Sequence, residues 1–375
     1  PQTPTSDPDR IGDFLPNTPG LEKLTFEQIN SAADGVVRLY RRNQGQWVQV
    51  WQTPTIKVLG VQPNLITGDF DHDGTLEAAF AAWDDLYVLD INTGAIEQKV
   101  HFTAAGASSG RPYGFLAAKD LNGDGRQEFV ILADFENNMS IVGWNSSGKL
   151  TKLWDYTIES GVVDKQTIHN TGYDPLHDVN GDGIVDIVTS IFNETGDNRW
   201  HVVVRSGMNG QVIANLAGQF YWGGADLDGD GRTELFVSQA PSGAVLPDAA
   251  DLSVLEFESG ALQTRWQQSA AAFQLQDVTD FPDNMNAGSA GARQRLLVGA
   301  VEPSGPLTFF TRQVVDAASA QTQVTAWQLG PTGIHSVGTL AGPRLEVLAV
   351  GAAPGEPGLL VRASGALDTS DAIAA

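Results

Sequence analysis

Cysteine is absent from the 375 residues of this chain, which excludes disulfide scaffolds, thiolate metal sites and cysteine nucleophiles. Basic residues are scarce: 22 Lys and Arg stand against 45 Asp and Glu, a formal net charge of −23. Nucleic acid and anionic lipid are both recognised through clustered Lys and Arg, so neither is an expected partner. No apolar run reaches the roughly 18 residues of a spanning helix, and no membrane insertion is expected. The chain opens on Pro1 without a charged segment leading into an apolar one. A mature secreted chain, extracellular or at a cell surface, is therefore expected, its signal peptide not present in this sequence. Apolar residues make up 42%, enough for a substantial core, and the 41 glycines point to many turns.

A repeat organises the chain. Asp69-x-Asp71-x-Asp73-Gly74-x-x-Glu77 is its first clear copy. Asp120-x-Asn122-x-Asp124-Gly125-x-x-Glu128, Asp178-x-Asn180-x-Asp182-Gly183-x-x-Asp186 and Asp226-x-Asp228-x-Asp230-Gly231-x-x-Glu234 follow, 51, 58 and 48 residues apart. Weaker echoes lie at Gly12-Asp13-Phe14 with Glu22, at Asp277-x-x-Asp280, and at Gly338 to Gly342 before Leu345. Counting them gives seven units.

Each unit reads as β-structure. A short apolar run follows each acid loop, as in Glu128-Phe-Val-Ile-Leu, and a second run comes after it, as in His201-Val-Val-Val. Gly-bearing turns such as Asn92-Thr-Gly94 lead into a third. With the strand that enters the loop, each unit holds four strands. The expected fold class is all-β, a seven-bladed β-propeller of four-stranded blades with DxDxDG calcium loops.

Oxygen ligands at positions 1, 3 and 5, Gly at 6 and an acid at 9 suit a hard cation. An all-oxygen set without His or Cys favours Ca²⁺ over zinc or copper, and Mg²⁺ seldom takes an all-protein cage. An EF-hand places its bidentate Glu at position 12 between helices, so it does not fit. Four structural Ca²⁺ sites are expected. Their ligands are Asp69, Asp71, Asp73 and Glu77; Asp120, Asn122, Asp124 and Glu128; Asp178, Asn180, Asp182 and Asp186; and Asp226, Asp228, Asp230 and Glu234.

The pattern resembles the FG-GAP/VCBS repeat family, the calcium-loop propellers of integrin α-subunit heads and many secreted bacterial proteins. It is also similar to propeller-fold polysaccharide lyases. The resemblance covers nearly the whole chain and implies a seven-bladed propeller with calcium between the first two strands of a blade. The incomplete ligand sets of units one, six and seven imply no metal there.

The resemblance further implies that the opposite face collects the connections between blades and between second and third strands. That face should present Arg111, Tyr113, His169, Tyr173, Asn193, Glu194, Arg199, Tyr221 and Trp222. Aromatic faces and Arg, Asn and Glu side chains suit carbohydrate. His177 is read equally as a satisfied structural residue or a functional one, and His72 as facing solvent.

Two functions fit. One is a calcium-stabilised extracellular module binding carbohydrate or an extracellular protein. The alternative is a lyase cleaving a uronate-containing glycan by β-elimination. It would use Arg111 or Arg199 to neutralise the carboxylate, His169 as base and Tyr113 or Tyr173 as acid. The chain is expected to be one propeller over 1–375 and a monomer, with flexible tails at 1–10 and 363–375 and an insertion at 302–324.

Overall fold

The structure is a computed structural model. It describes residues 10–15, 17–29, 34–57, 65–82, 84–102, 113–133, 138–157, 174–193, 196–243, 249–277, 285–287, 294–302, 304–350 and 359–363. Among these residues every regular element is a strand, so no helix is long and apolar enough to cross a membrane. The chain divides into two compact units, Pro1–Asn170 with Thr279–Gly291, and Thr171–Val278 with Ala292–Ala375.

The first unit holds three antiparallel sheets. The first sheet runs Arg10–Gly12, Glu22–Gln28, Asp34–Asn43 and Gln46–Gln52, with Ile56–Lys57 beside the third strand. The second runs Ile66–Gly68, Glu77–Ala82, Asp85–Asp90 and Ile96–His101. The third runs Tyr113–Lys119, Glu128–Ala133, Asn138–Trp144 and Leu150–Thr157. Met285–Ala287 joins the third sheet beside its first strand, a long-range pairing that no local pattern announces.

The second unit repeats the plan. Its fourth sheet is Leu176–His177, Asp186–Phe192, Trp200–Ser206 and Val212–Ala217. The fifth is Gln219–Ala225, Glu234–Gln239, Ala250–Glu258 and Ala261–Phe273. The last strand of the fifth sheet runs on to pair with Leu307–Asp316. That strand belongs to the sixth sheet, with Val298–Ala300, Gln321–Gly330 and Gly333–Pro343. Two further pairs are Leu275–Asp277 with Gln294–Leu296, and Leu345–Val350 with Leu359–Ala363.

The continuous apolar runs are explained by how the sheets stack. Glu77–Ala82 is buried along its whole length, whereas the outer strand Ile96–His101 is largely exposed. Successive side chains of a strand point to opposite faces. Ala78, Phe80 and Ala82 therefore meet Leu24, Phe26 and Leu39 of the first sheet. Ala79 and Ala81 meet Leu116, Phe129 and Ile131 of the third. In the second unit Leu235 and Val237 face Val188 and Val202 of the fourth sheet, while Phe236 turns to Trp266 and Phe309. A strand covered on both faces has no polar face to show, and its sequence loses the alternation of a half-exposed strand.

Within residues 302–324, Leu307–Asp316 and the start of Gln321–Gly330 are neighbouring strands of the sixth sheet. The echo at Gly338 to Gly342 is not a loop but part of a strand paired with the preceding one. Arg10 is held, its Nε donating to Leu65 O at 2.8 Å, and Ala363 ends a strand. Residues 1–9 and 364–375, and Asp280 of the sixth echo, lie outside the described residues.

Candidate metal centres and ligand-facing loops

All four acid loops join the first strand of a sheet to the second, and all four are closed by the same hydrogen bonds. The position-1 carboxylate accepts from the Gly N–H at position 6. Asp69 accepts from Gly74 at 3.0 Å, Asp120 from Gly125 at 2.9 Å, Asp178 from Gly183 at 2.8 Å and Asp226 from Gly231 at 3.0 Å. Oxygens of Asp71, Asn122, Asn180 and Asp228 accept from the N–H at position 5. Asp73, Asp124, Asp182 and Asp230 accept from the N–H at position 7. Short acids and amides curl the chain locally in this way, so the residues that would ligate also set the loop's shape.

Two positions of each loop are left-handed. The position-6 glycines have φ near 89° in three loops and 81° at Gly183. Position 4 is left-handed as well: Gly123, Gly181 and Gly229 have φ of 78°, 74° and 76°, and His72 has 63°. The sequence reading gave this role to position 6 alone. His72 is exposed, as expected, but carries the backbone strain that glycine relieves in the other three loops.

The acid at position 9 opens the second strand and is buried in each sheet: Glu77, Glu128, Asp186 and Glu234. One of its oxygens accepts the N–H of the apolar residue at position 2. The distances are 2.8 Å from Phe70, 2.9 Å from Leu121, 3.1 Å from Val179 and 2.7 Å from Leu227. The other oxygen looks into the loop. That of Glu77 accepts from Thr75 Oγ1 at 3.3 Å, and that of Glu128 from Asn122 Nδ2 at 3.1 Å. Asp186 Oδ1 and Glu234 Oε1 are buried with no hydrogen-bond partner. Burial, reinforced by the neighbouring loop carboxylates, pushes all four carboxyl groups up to about 7. A buried carboxylate oxygen without a donor is costly, and either a proton or a cation would satisfy it.

The side chains converge to different degrees. Oxygens of Asp69, Asp71, Asp73 and Glu77 lie within 4.8 Å of one another, and so do those of Asp226, Asp228 and Asp230. Glu234 stands outside the second group. In the two loops with Asn at position 3, the amides donate to acids: Asn122 to Glu128, and Asn180 to Asp182 at 3.0 Å. Arg232 draws Asp230 to itself through Nε at 2.9 Å, and that bond holds the Asp230 carboxyl below its usual range. The donor set, all oxygen and mostly anionic, fits a hard cation such as Ca²⁺ in all four loops. Asp69 to Glu77 is the most gathered.

Neighbouring loops within a unit are tied together. Gln127 N donates to Phe70 O at 2.9 Å, and Thr233 N donates to Asp178 O at 2.8 Å. The acid loops therefore occupy one end of the sheets in each unit.

The first sheet has a related turn, one residue longer and without the full ligand set. Glu22 is fully buried, and its Oε2 accepts from Phe14 N at 2.9 Å and Leu15 N at 3.2 Å. Phe14 is the buried anchor, as Phe70 is in the second sheet. A Cβ on Gly12 would stand 2.7 Å from the Phe14 ring, and one on Gly68 2.8 Å from that of Phe70, which accounts for Gly in both Gly-Asp-Phe triplets. Glu22 Oε1 is buried without a partner too, but Leu15 stands at position 3 and offers no side-chain oxygen.

At the other end of the sheets the expected ligand residues scatter. Arg111, His169, Tyr173 and Glu194 lie outside the described residues, and Tyr113 is placed only as the start of its strand. Tyr221 was expected to face a ligand but is 2% exposed, its hydroxyl donating to Asp174 O at 2.7 Å beside His177 Nε2. It is a core residue, and His177 is its structural partner. Trp222 is partly buried between two cores, its Nε1 donating to Ser238 Oγ at 2.8 Å. Asn193 and Arg199 belong to one tight loop, with Asn193 N bonded to Arg199 O at 2.9 Å and Arg199 exposed. Beside them His201, which sequence reasoning passed over, sits 3.1 Å from Asp197 and 2.7 Å from Asn215 Oδ1. Its period-two position on the strand was the available signal.

No family model matches the chain, and no curated protein matches it. Solved structures similar to it include the rhamnogalacturonan lyase YesW (14% identity, 92% of this chain and 73% of that one, TM-score 0.46). Others are the V. cholerae biofilm matrix protein Bap1 (16%, 90% and 68%, 0.42) and Saccharomyces cerevisiae Sqt1 (14%, 86% and 69%, 0.41). What the chain itself displays is an all-β array of four-stranded antiparallel sheets with an acid loop built alike in four of them.

Proposed function

We propose that the chain is an FG-GAP/VCBS-type seven-bladed propeller, stapled by Ca²⁺ in four loops, that acts outside the cell as a monomeric module binding a glycan or a protein. The observation that carries this is the fourfold recurrence of one loop geometry with oxygen-bearing side chains at positions 1, 3, 5 and 9, at the same end of each sheet. Asp69, Asp71, Asp73 and Glu77, with the corresponding residues of the other three loops, would hold the ions. The ions would neutralise carboxylates that otherwise repel one another and would brace the turn between first and second strands. With one end of the sheets devoted to metal, the opposite end is free for recognition, and the exposed Arg199 beside Asn193 is the contact we assign there.

The test is binding of immobilised polysaccharides by the full chain in Ca²⁺, with Arg199→Ala alongside. Binding that weakens in Arg199→Ala at unchanged melting temperature supports the module. The same mixtures report on the lyase alternative, because β-elimination leaves an unsaturated uronate that absorbs in the ultraviolet. A rise in absorbance with a uronate polysaccharide would overturn the non-catalytic reading and direct attention to His169, Tyr173, Arg111 and Tyr113. Absence of binding to glycans and of any absorbance change would sink the carbohydrate reading.

A further inference from the structure

At the end of the fifth sheet away from its acid loop lies a cavity of about 110 Å³, lined by Gln219, Gln239, Asp251, Ser253, Gln267, Gln268 and Ser269. The strands place these residues in rows. Gln219 opens the first strand opposite Gln239, which closes the second. Asp251 and Ser253 lie two apart on the third strand, and Ser253 pairs with Gln267 on the fourth. The register then slips: Leu252 faces Gln268, but Ala250 faces Ala271, so two residues stand opposite Asp251 alone. Ala270, at φ 52°, absorbs the bend. Gln267 and Gln268 would point to opposite faces of a regular strand. The bulge begins just past Gln268 and sets Ser269 and Ala270 opposite Asp251, which brings Ser269 to the cavity beside Gln267 and Gln268.

The lining has a defined chemistry. It holds amides, hydroxyls and one carboxylate, with no aromatic ring and no cation. Gln219 Oε1 and Gln268 Oε1 are buried without a hydrogen-bond partner. Buried polar atoms are seldom left so, and the terminal torsion of a glutamine is soft enough to turn its head toward an incoming group. A hydroxyl both donates and accepts, so it serves amide oxygen, amide nitrogen and carboxylate alike. An anion would meet Asp251 with no counter-charge. We propose that this cavity binds a neutral, hydroxyl-rich ligand, the edge of a single uncharged sugar unit. The inference deepens the glycan reading above and rests on it for the choice of ligand class.

Titration calorimetry of the full chain in Ca²⁺ tests it, with methyl glucoside, methyl galactoside, methyl mannoside and galacturonate as probes. At least one neutral glycoside is expected to bind with a Kd on the order of 1 mM, and galacturonate about tenfold more weakly or not at all. Gln268→Leu removes one unmet oxygen, and Ser269→Tyr blocks the cavity from an exposed position. Each is expected to weaken the neutral glycoside about tenfold at unchanged melting temperature. Failure of all three neutral glycosides to bind, a preference for galacturonate, or wild-type affinity in folded Ser269→Tyr would overturn the proposal. Polysaccharide binding that Arg199→Ala abolishes and Ser269→Tyr leaves intact overturns the cavity while the broader reading stands. Glycoside binding lost in Ser269→Tyr, without polysaccharide binding, supports the cavity and removes the broader reading.

Discussion

The loop of the first sheet, one residue longer, and that of the fifth make related turns with different equipment. Both carry a buried acid at the start of the second strand, Glu22 and Glu234, and in both it accepts the N–H of a buried apolar residue, Phe14 or Leu227. Only the fifth sheet adds Asp226, Asp228 and Asp230 with converging oxygens. The acid's first oxygen therefore belongs to the fold, and its second is the one a cation would take where positions 1, 3 and 5 supply further oxygens. An acid there marks a sheet of this kind with or without the further oxygens, and the three residues at positions 1, 3 and 5 mark the candidate metal site.

The largest effect that separates the two roles is removal of metal. Each site saturated about a hundredfold above its Kd adds about 2.7 kcal/mol, so chelation should lower stability on the order of 10 kcal/mol over four sites. Thermal melts with Ca²⁺ and with chelator measure it. Glu22→Ala comes next. It strands the buried N–H of Phe14 and the partly buried N–H of Leu15, and a loss of about 3 kcal/mol is expected in Ca²⁺ and in chelator alike. Asp124→Ala should behave oppositely, costing about 3 kcal/mol in Ca²⁺ but under about 1 kcal/mol in chelator, where only an exposed turn bond is lost. Equal losses of Asp124→Ala in the two conditions would erase the distinction.

pH sharpens the same contrast. In the metal-free protein Glu77, Glu128, Asp186 and Glu234 titrate near 7, above their unfolded values near 4, because burial and neighbouring carboxylates disfavour the charge. The folded state then holds more protons than the unfolded one. The stability these groups contribute is full below the unfolded values and is lost as pH rises through about 7. Ca²⁺ needs the ionised forms, so the melting-temperature gain from Ca²⁺ should grow across that window. A gain that is flat from pH 5 to 8, on the order of three units, would speak against these ligands. The smallest effect expected is His72→Gly. Relief of the 63° φ should raise stability by under about 1 kcal/mol, with no loss of Ca²⁺ binding.

Much of this was legible in the sequence because it is local. The four loops, the runs after them and the Gly-bearing turns each lie within about 25 residues, and period and spacing suffice for them. Long-range choices were not legible. Whether Tyr221 faces ligand or core depends on where Asp174 and His177 lie, and that is a matter of sheet stacking. The small polar composition of residues 302–324 likewise hides two paired strands, the first of which also pairs with the end of the fifth sheet. The left-handed position 4 was hidden by His72, the one loop residue that departs from glycine there. The glutamine-lined cavity could not be foreseen, since it gathers residues of four strands and sits beside the bulge at Ser269 and Ala270.

The measurement that bears most directly on the central claim is the stoichiometry of Ca²⁺ binding to chelator-stripped protein, by titration calorimetry, for the wild type and for Asp226→Ala. Four ions per chain are expected from the four complete loops, falling by one in the variant. A wild-type chain that takes up no Ca²⁺, or a count that Asp226→Ala leaves unchanged, would contradict the assignment of these loops as the staples of the fold.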